Sequence, residues 1–289
     1  MLGLKNKLGL YEKALPAALS WRERLDSARY LGFDFVEISI DETDERIARL
    51  HWTKAQRAAF RADMEYTGVP VMSMCFSAHR RYPMGSRDAK IRATSMELMN
   101  RAIDFAADTG IRVIQLAGYD VYYEQSGADT KQTFLENLIL ATEMAARQQV
   151  MLAIEIMDTD YINSITKYMW FDQVVNSPWL TVYPDVGNLS AWGNNVAEEL
   201  KKGIHRTVGV HLKDTIPVSD SFPGKFKEVP FGSGGTDFVA AFRALKEVHY
   251  AGPFMIEMWT GKNSNAFAEI AAARTFMMEK MNEAGFCSE

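Results

Sequence analysis

Four polar residues in the second half of the chain each end a short apolar run: Glu155 in AIEIMD, Asp185 in VYPD, His211 in VGVHLKD and Glu257 in FMIEMW. A charged group directly after buried β-type residues is costly unless it meets a partner where the strand ends. A single residue of this kind is usually an ion-pair partner, but three carboxylates around one histidine repel unless a proton or cation neutralises them. We therefore predict one divalent-metal site, whose oxygen and imidazole ligands suit Mn²⁺, Zn²⁺, Co²⁺ and Mg²⁺ alike. Two of the ligands could also carry protons, which suggests proton transfer beside a metal-polarised carbonyl.

Short β-type runs alternate along the chain with longer amphipathic stretches. The strand patterns, in order, are KLGLYEK, FDFVEISI, VPVMSMCFS, RVIQLAG, VMLAIEIM, LTVYPDVG, TVGVHLKD and PFMIEMW. Helix patterns separate them, and no linker rich in proline or serine interrupts the alternation. This order predicts an α/β fold in which a parallel sheet closes into a single (β/α)8 TIM barrel over residues 1–289. An open doubly wound sheet is the alternative, but the chain has no GxGxxG turn.

A barrel of this kind carries its active site at the carboxyl ends of the strands. The four polar residues then fall at the ends of strands five to eight, on one rim. Further polar side chains should reach the same rim, and we expect them to shape a substrate pocket: Cys75, Ser77, His79, Gln115, Asn188, Lys213 and Trp259. His79 has an equally good interpretation as a solvated loop residue, and Trp259 as a packing residue.

An anionic group on the substrate could be bound in two places. Arg80 follows His79 near the barrel mouth, although a solvated charge is the alternative. Ser233 lies in FGSGGTDF, a glycine-rich turn whose free N–H groups could hold a phosphate before a helix. A tight turn capped by Thr236 or Asp237 explains that motif equally well. The segment 214–230, which contains Lys225 and Lys227, is predicted to fold over the mouth.

The bulk composition excludes several classes of protein. A net charge of −5 and a pI near 5.7 argue against a surface for nucleic acid. No signal-peptide pattern or membrane-spanning stretch is present, so we expect a cytoplasmic protein. Cys75 and Cys287 are the only cysteines, which predicts reduced thiols and no disulfide framework. The helix faces carry enough apolar residues to form the interface of a homodimer.

Nearly the whole chain resembles a known group of enzymes. The segments that carry the resemblance include LGLYEKALP, GFDFVEISIDE, SMCFSAHRRYPMGS, AIEIMD, YPDVGNLSAW, VHLKDT and VPFGSGGTDF. They resemble the xylose-isomerase-like barrels and, among these, the 3-epimerases that interconvert L-ribulose 5-phosphate and L-xylulose 5-phosphate in bacterial L-ascorbate degradation. The resemblance implies that Glu155, Asp185, His211 and Glu257 ligate one divalent metal, and that Glu155 and Glu257 are the catalytic acid/base pair.

Two positions depart from the related epimerases of free ketoses. Those enzymes typically carry a histidine three residues after the metal aspartate and an arginine six residues after the metal histidine; this chain has Asn188 and Pro217 there. The departures favour a phosphorylated substrate. We expect a metal-dependent ketopentose-phosphate 3-epimerase with a sugar-phosphate substrate. The alternatives are an aldose–ketose isomerase, an epimerase of an unphosphorylated ketose, a DNA-repair endonuclease of the same superfamily, and a non-catalytic sugar-phosphate binder.

Overall fold

Eight short strands form the centre of the protein. The computed structural model describes residues 5–260 and 265–286. The strands are β1 Leu8–Tyr11, β2 Phe35–Ile40, β3 Val71–Phe76, β4 Val113–Ala117, β5 Met151–Glu155, β6 Leu180–Tyr183, β7 Val210–Leu212 and β8 Phe254–Ile256. Each lies within a segment predicted to be a strand, and each is shorter than that segment because the ends continue into the loops.

Helices follow the strands around the outside of the sheet. They are α1 Trp21–Tyr30, α2 Asp44–Ile47, α3 Lys54–Thr67, α4 Ala89–Thr109, α5 Ala128–Arg147, α6 Ile165–Val175, α7 Val186–Ala191, α8 Val196–Gly203, α9 Phe238–Glu247 and α10 Ala266–Glu283. Local sequence sets several of their ends: Ser20 and Glu23 form a capping box at α1, and Gly68 and Gly110 end α3 and α4 in the left-handed region. The short helices α2 and α7 were not predicted, because they contain too few residues to show a helical period. No helix in residues 5–260 and 265–286 is long and apolar enough to cross a bilayer.

All strand pairs are parallel, in the order β6-β5-β4-β3-β2-β1-β8-β7. The outer strands β6 and β7 meet through two isolated parallel bridges, Val182 with Thr207 and Asp185 with His211. The backbone N–H groups of Val208 and His211 donate across this seam to Val182 and Pro184. The sheet therefore closes, which confirms the predicted (β/α)8 barrel. Strands buried on both faces suit this arrangement, and nearly every strand residue is buried.

An arginine cluster fills the rim beside β1 and β2. Glu12, fully buried after β1, accepts hydrogen bonds from Arg49 Nη1 at 2.7 Å and Arg24 Nη1 at 3.3 Å, and pairs closely with Arg46. It also accepts from the backbone N–H of Ser39 at 2.7 Å. One carboxylate thus joins the 3₁₀ turn after β1, helix α1, strand β2 and the segment after β2.

Candidate active site

The four residues singled out in the sequence meet at the carboxyl end of the barrel. Glu155 is the last residue of β5, His211 is the central residue of β7, and Glu257 directly follows β8. Asp185 is the N-cap of α7, where its Oδ1 accepts from the Asn188 backbone N–H at 2.8 Å. One ligand atom from each of the four lies within 4.8 Å of the others, and all four side chains are buried. We call these four residues the acidic cluster.

The imidazole of His211 is held from behind by Glu37. His211 Nε2 lies 3.1 Å from Glu37 Oε1, and Glu37 Oε2 accepts from Ser73 Oγ at 2.6 Å. The strand register shifts between Val36 and Glu37, an irregularity of the kind that re-aims a side chain, and Glu37 then pairs with Ser73. The contact to Glu37 leaves His211 Nδ1 facing Glu155 Oε1 at 3.4 Å. A carboxylate behind a histidine commonly orients it as a metal ligand.

Charge within the acidic cluster is only partly balanced. Lys213 Nζ lies 2.9 Å from Asp185 Oδ2 and 2.8 Å from Glu257 Oε2, yet neither oxygen receives a well-directed hydrogen bond. Three carboxylates face one ammonium and one imidazole, so negative charges remain in excess even when His211 is protonated. A divalent cation would neutralise them, and the oxygen and nitrogen donors suit it. The acidic cluster could therefore bind a metal ion.

The pKa values reflect this crowding. Burial raises the pKa of Glu155, and it raises that of Asp185 to about 7 even though Lys213 opposes the change. Burial would also raise the pKa of Glu257, but Lys213 and His211 lower it well below its usual value. Burial would lower the pKa of His211, but Glu37 and the cluster carboxylates raise it well above its usual value. The raised pKa keeps a proton on the His211 ring, and a metal ion bound at Nδ1 would have to displace it.

A cavity of about 50 Å³ opens above the acidic cluster, and Glu155 and Glu257 both line it. Six of the residues predicted to contact substrate or its phosphate line it as well: they are Cys75, Ser77, Arg80, Asn188, Lys213 and Trp259. An adjoining cavity of about 650 Å³ lies beneath α10 and shares Lys213, Glu257 and Trp259 with the first.

The side chains that line this cavity are held in defined positions. Asn188 Nδ2 donates to the Ile156 carbonyl at 2.8 Å, which leaves its Oδ1 without a hydrogen bond. The Trp259 ring packs edge-on against Tyr11 with centroids 5.8 Å apart. Cys75 is a free buried thiol, whereas Cys287 lies outside the described residues.

Gln115 lies deeper than these residues. Its Nε2 is 3.5 Å from His211 Nδ1, and its Oε1 is buried without a hydrogen bond. Gln115 therefore contacts a member of the acidic cluster, although it is not among the residues that line the cavity.

His79 is not brought to the cavity. Its ring packs edge-on against Phe76 at 4.7 Å, and its Nε2 lies 3.4 Å from the Ser95 carbonyl in α4. Burial lowers the pKa of His79 to about 4, so the ring is neutral at physiological pH. The 3₁₀ turn at Ala78–Arg80 turns His79 inward while Arg80 reaches the cavity. The geometry therefore does not support substrate binding by His79. It also does not support the alternative interpretation of His79 as a solvated loop residue.

Ser233 is exposed, and the glycine-rich turn around it is already occupied. The backbone N–H groups of Gly232 and Gly234 donate to Asp214 Oδ2 at 2.9 and 3.0 Å. The turn therefore binds the protein's own carboxylate in place of a phosphate. Asp237 caps α9 by accepting from Ala240 N at 2.9 Å, which is the alternative considered for this motif.

Sequence reasoning missed several residues of the site. Glu37 lies inside β2, and its signal is a lone charge in the apolar run FVEISI. Lys13 and Asp158 also line the cavity, from the segments that follow β1 and β5. Lys227 lines it from the segment 214–230, which was predicted to fold over the mouth. Tyr11 ends β1 and carries no charge that would single it out.

The chain is similar to known proteins over nearly its whole length. Residues 25–280 match a family model described as a xylose isomerase-like TIM barrel. The chain is 56% identical over 281 residues to the SgbU protein of Escherichia coli (strain K12), covering 97% of this chain and 98% of that protein. It is 52% identical over 285 residues to UlaE of Escherichia coli O157:H7 (strain EC4115 / EHEC), named L-ribulose-5-phosphate 3-epimerase, covering 99% and 98%.

A solved structure of an L-ribulose 3-epimerase superposes with a TM-score of 0.75 at 18% identity, covering 97% of this chain and 96% of that one. At that identity the likeness establishes the fold alone. The family model and the two relatives establish the family as well. The model matches most of the chain, and both relatives are more than 50% identical to it. The chain belongs to the xylose isomerase-like TIM barrel family, in its L-ribulose-5-phosphate 3-epimerase group.

Proposed function

We propose that this protein is a metal-dependent 3-epimerase that interconverts L-ribulose 5-phosphate and L-xylulose 5-phosphate. The observation that carries the proposal is the convergence of Glu155 and Glu257 with Asp185 and His211, at the floor of a cavity lined by both glutamates. The relative UlaE, 52% identical, is named for this activity.

Glu155, Asp185, His211 and Glu257 would hold one divalent ion, for which Mn²⁺, Zn²⁺, Co²⁺ and Mg²⁺ are candidates. When bound, such an ion would supply Lewis acidity to the ketose, which would make the proton on C3 easier to remove. Glu37 orients His211, and Lys213 holds Glu257 and Asp185 in place.

The two glutamates exchange protons with C3 of the substrate. Inversion requires that a proton leave one face and another arrive on the opposite face, so two separate acid/base groups are needed. In one direction Glu155 takes the proton and Glu257 delivers one; in the other direction the roles reverse. The two carboxylates reach the cavity from different strands, Glu155 at the end of β5 and Glu257 directly after β8. Cys75, Ser77, Asn188 and Trp259 would position the sugar, with Gln115 supporting His211.

The decisive experiment is turnover of L-ribulose 5-phosphate in D₂O, followed by NMR. We expect L-xylulose 5-phosphate as the product, with deuterium at C3. Deuterium at C1 or C2 would identify an aldose–ketose isomerase. Faster turnover of the unphosphorylated ketose would identify an epimerase of free ketoses. Binding without any exchange would identify a binder. Treatment with a chelator should abolish exchange, and adding back one equivalent of metal should restore it.

The remaining predictions belong to this proposal. The phosphorylated substrate carries charges that do not cross a bilayer unaided, so we propose a cytoplasmic enzyme. The net charge of −5 argues against nucleic-acid partners. Sedimentation would test the homodimer, and limited proteolysis would test whether residues 1–289 behave as one domain.

A further inference from the structure

Lys213 is a cation placed among the predicted metal ligands. It directly follows β7, two residues after His211, and its side chain is buried. Its Nζ lies 2.9 Å from Asp185 Oδ2 and 2.8 Å from Glu257 Oε2, so it touches two of the four residues of the acidic cluster. A positive charge there repels a divalent cation and competes with it for the same oxygens. A lysine at this position therefore calls for a use other than binding the metal.

The position of Lys213 is fixed by close packing around it. Gly187, in the first turn of α7, lies so near that an added Cβ would come 2.3 Å from the Lys213 carbonyl oxygen. Two residues further on, Thr215 Oγ1 donates to the Gly187 carbonyl at 2.8 Å. The ring of Trp259 flanks the other end of the side chain, with its centroid 6.0 Å from Nζ. The ammonium is therefore held at the cavity by its packed backbone and by an aromatic neighbour.

Lys213 also faces both cavities at the barrel mouth. It lines the cavity of about 50 Å³ above the acidic cluster and the adjoining cavity of about 650 Å³. An ammonium has three N–H donors, and two carboxylate neighbours leave one of them for a ligand. Asp185 Oδ2 and Glu257 Oε2 receive no well-directed hydrogen bond, so these contacts constrain the ammonium only weakly. Lys213 can therefore donate into the cavity without giving up a well-directed hydrogen bond.

We propose that Lys213 is a catalytic residue that donates a hydrogen bond to the substrate oxygen on which negative charge develops. The inference rests on the proposed function. When a glutamate takes the proton from C3, the C–H electron pair becomes the C2–C3 double bond, and the carbonyl electron pair moves onto the oxygen of C2. An N–H of Lys213 directed at that oxygen stabilises the resulting enediolate, and Lys213 keeps its own proton throughout. Delivery of a proton to the opposite face of C3 returns both electron pairs.

Turnover of a variant without the charge tests this role. Lys213→Met keeps the alkyl stem, and we expect it to lower kcat for L-ribulose 5-phosphate by about 10²- to 10³-fold with little change in KM, because the contact strengthens only as the charge develops. Deuterium uptake at C3 in D₂O should fall by the same factor. Lys225→Met is the matched control, since Lys225 is an exposed lysine of the segment 214–230 that lines neither cavity. Urea unfolding checks that both variants fold.

Two further measurements separate catalysis from support of the metal ligands. In Lys213→Ala, added ethylammonium should restore part of kcat, whereas tetramethylammonium, which has the charge but no N–H, should not. Calorimetric titration of the chelator-treated protein with Mn²⁺ should show that Lys213→Met binds the metal at least as tightly as the wild type, because a repelling charge has been removed. Weaker metal binding, together with full recovery of kcat in excess Mn²⁺, would mean that Lys213 only holds Asp185 and Glu257 in place, and the proposal would be wrong.

The same variants distinguish this inference from the proposed function. If the wild type epimerises L-ribulose 5-phosphate and Lys213→Met keeps its kcat, the role of Lys213 is wrong and the function stands. If the wild type instead takes up deuterium at C1 or C2, the function is wrong. The role of Lys213 then stands provided that Lys213→Met loses that exchange, since an enediolate forms in that reaction too. A wild type without exchange at any carbon would overturn both.

Discussion

Two buried ionic clusters at the same rim of the barrel are built in opposite ways. In the arginine cluster, one carboxylate meets three guanidinium groups and a backbone N–H, and both oxygens of Glu12 are used. In the acidic cluster, three carboxylates meet one histidine and one lysine, and Asp185 Oδ2 and Glu257 Oε2 receive no well-directed hydrogen bond.

The difference separates a structural from a functional use of buried charge. Both oxygens of Glu12 are saturated by protein donors, so the arginine cluster joins the loops at this rim. The acidic cluster keeps unused acceptors and excess negative charge beside a cavity, which is costly unless a cation completes it. The following variants test this contrast, from the largest expected effect to the smallest.

The largest effect is expected in the acidic cluster. Glu155→Gln and Glu257→Gln should each reduce epimerisation by about 10³- to 10⁴-fold, because each removes one of two acid/base groups. Deuterium uptake at C3, measured by NMR, checks this, and Glu198→Gln on the exposed face of α8 is the control. Retained exchange in both variants would refute the two-base assignment.

Glu12→Gln should act on stability instead of chemistry. Removing the carboxylate that pairs with Arg24, Arg46 and Arg49, the first and last of them buried, should lower the free energy of unfolding by about 3–5 kcal/mol. Urea unfolding measures this, with Glu65→Gln on the exposed side of α3 as the control, expected to change stability by less than about 0.5 kcal/mol. An unchanged urea-unfolding midpoint for Glu12→Gln would mean that the ion pairs of Glu12 do not stabilise the fold.

Glu37 links the two kinds of behaviour, since it is buried and saturated but supports a ligand. Glu37→Gln should weaken metal binding by about 10- to 100-fold, because His211 loses the carboxylate that orients it. Metal titration by calorimetry measures the effect, and excess metal should restore most of kcat. Equal metal affinity in wild type and variant would show that Glu37 does not orient the ligand.

His79 offers the smallest effect. Its pKa is about 4 in the folded protein and about 6.5 when unfolded, so the unfolded chain binds more protons between those values. Its contribution to stability is complete above pH 6.5 and is lost as the pH falls towards 4. Between pH 7.5 and 5.5 this loss should be about 1 kcal/mol, and it should disappear in His79→Gln. Urea unfolding of both proteins at the two pH values gives the comparison; parallel losses would show that His79 is not responsible.

The sequence alone determined the barrel and the four residues of the acidic cluster. Strand and helix patterns are local, and parallel strands bring their carboxyl ends to one rim, so a polar residue that closes each apolar run needs no further information to be placed there. The inward turn of His79 and the capture of the glycine-rich turn by Asp214 were decided by the tertiary structure. Each depends on which of several equally good partners a loop residue meets, and that choice is made by packing between segments far apart in the chain.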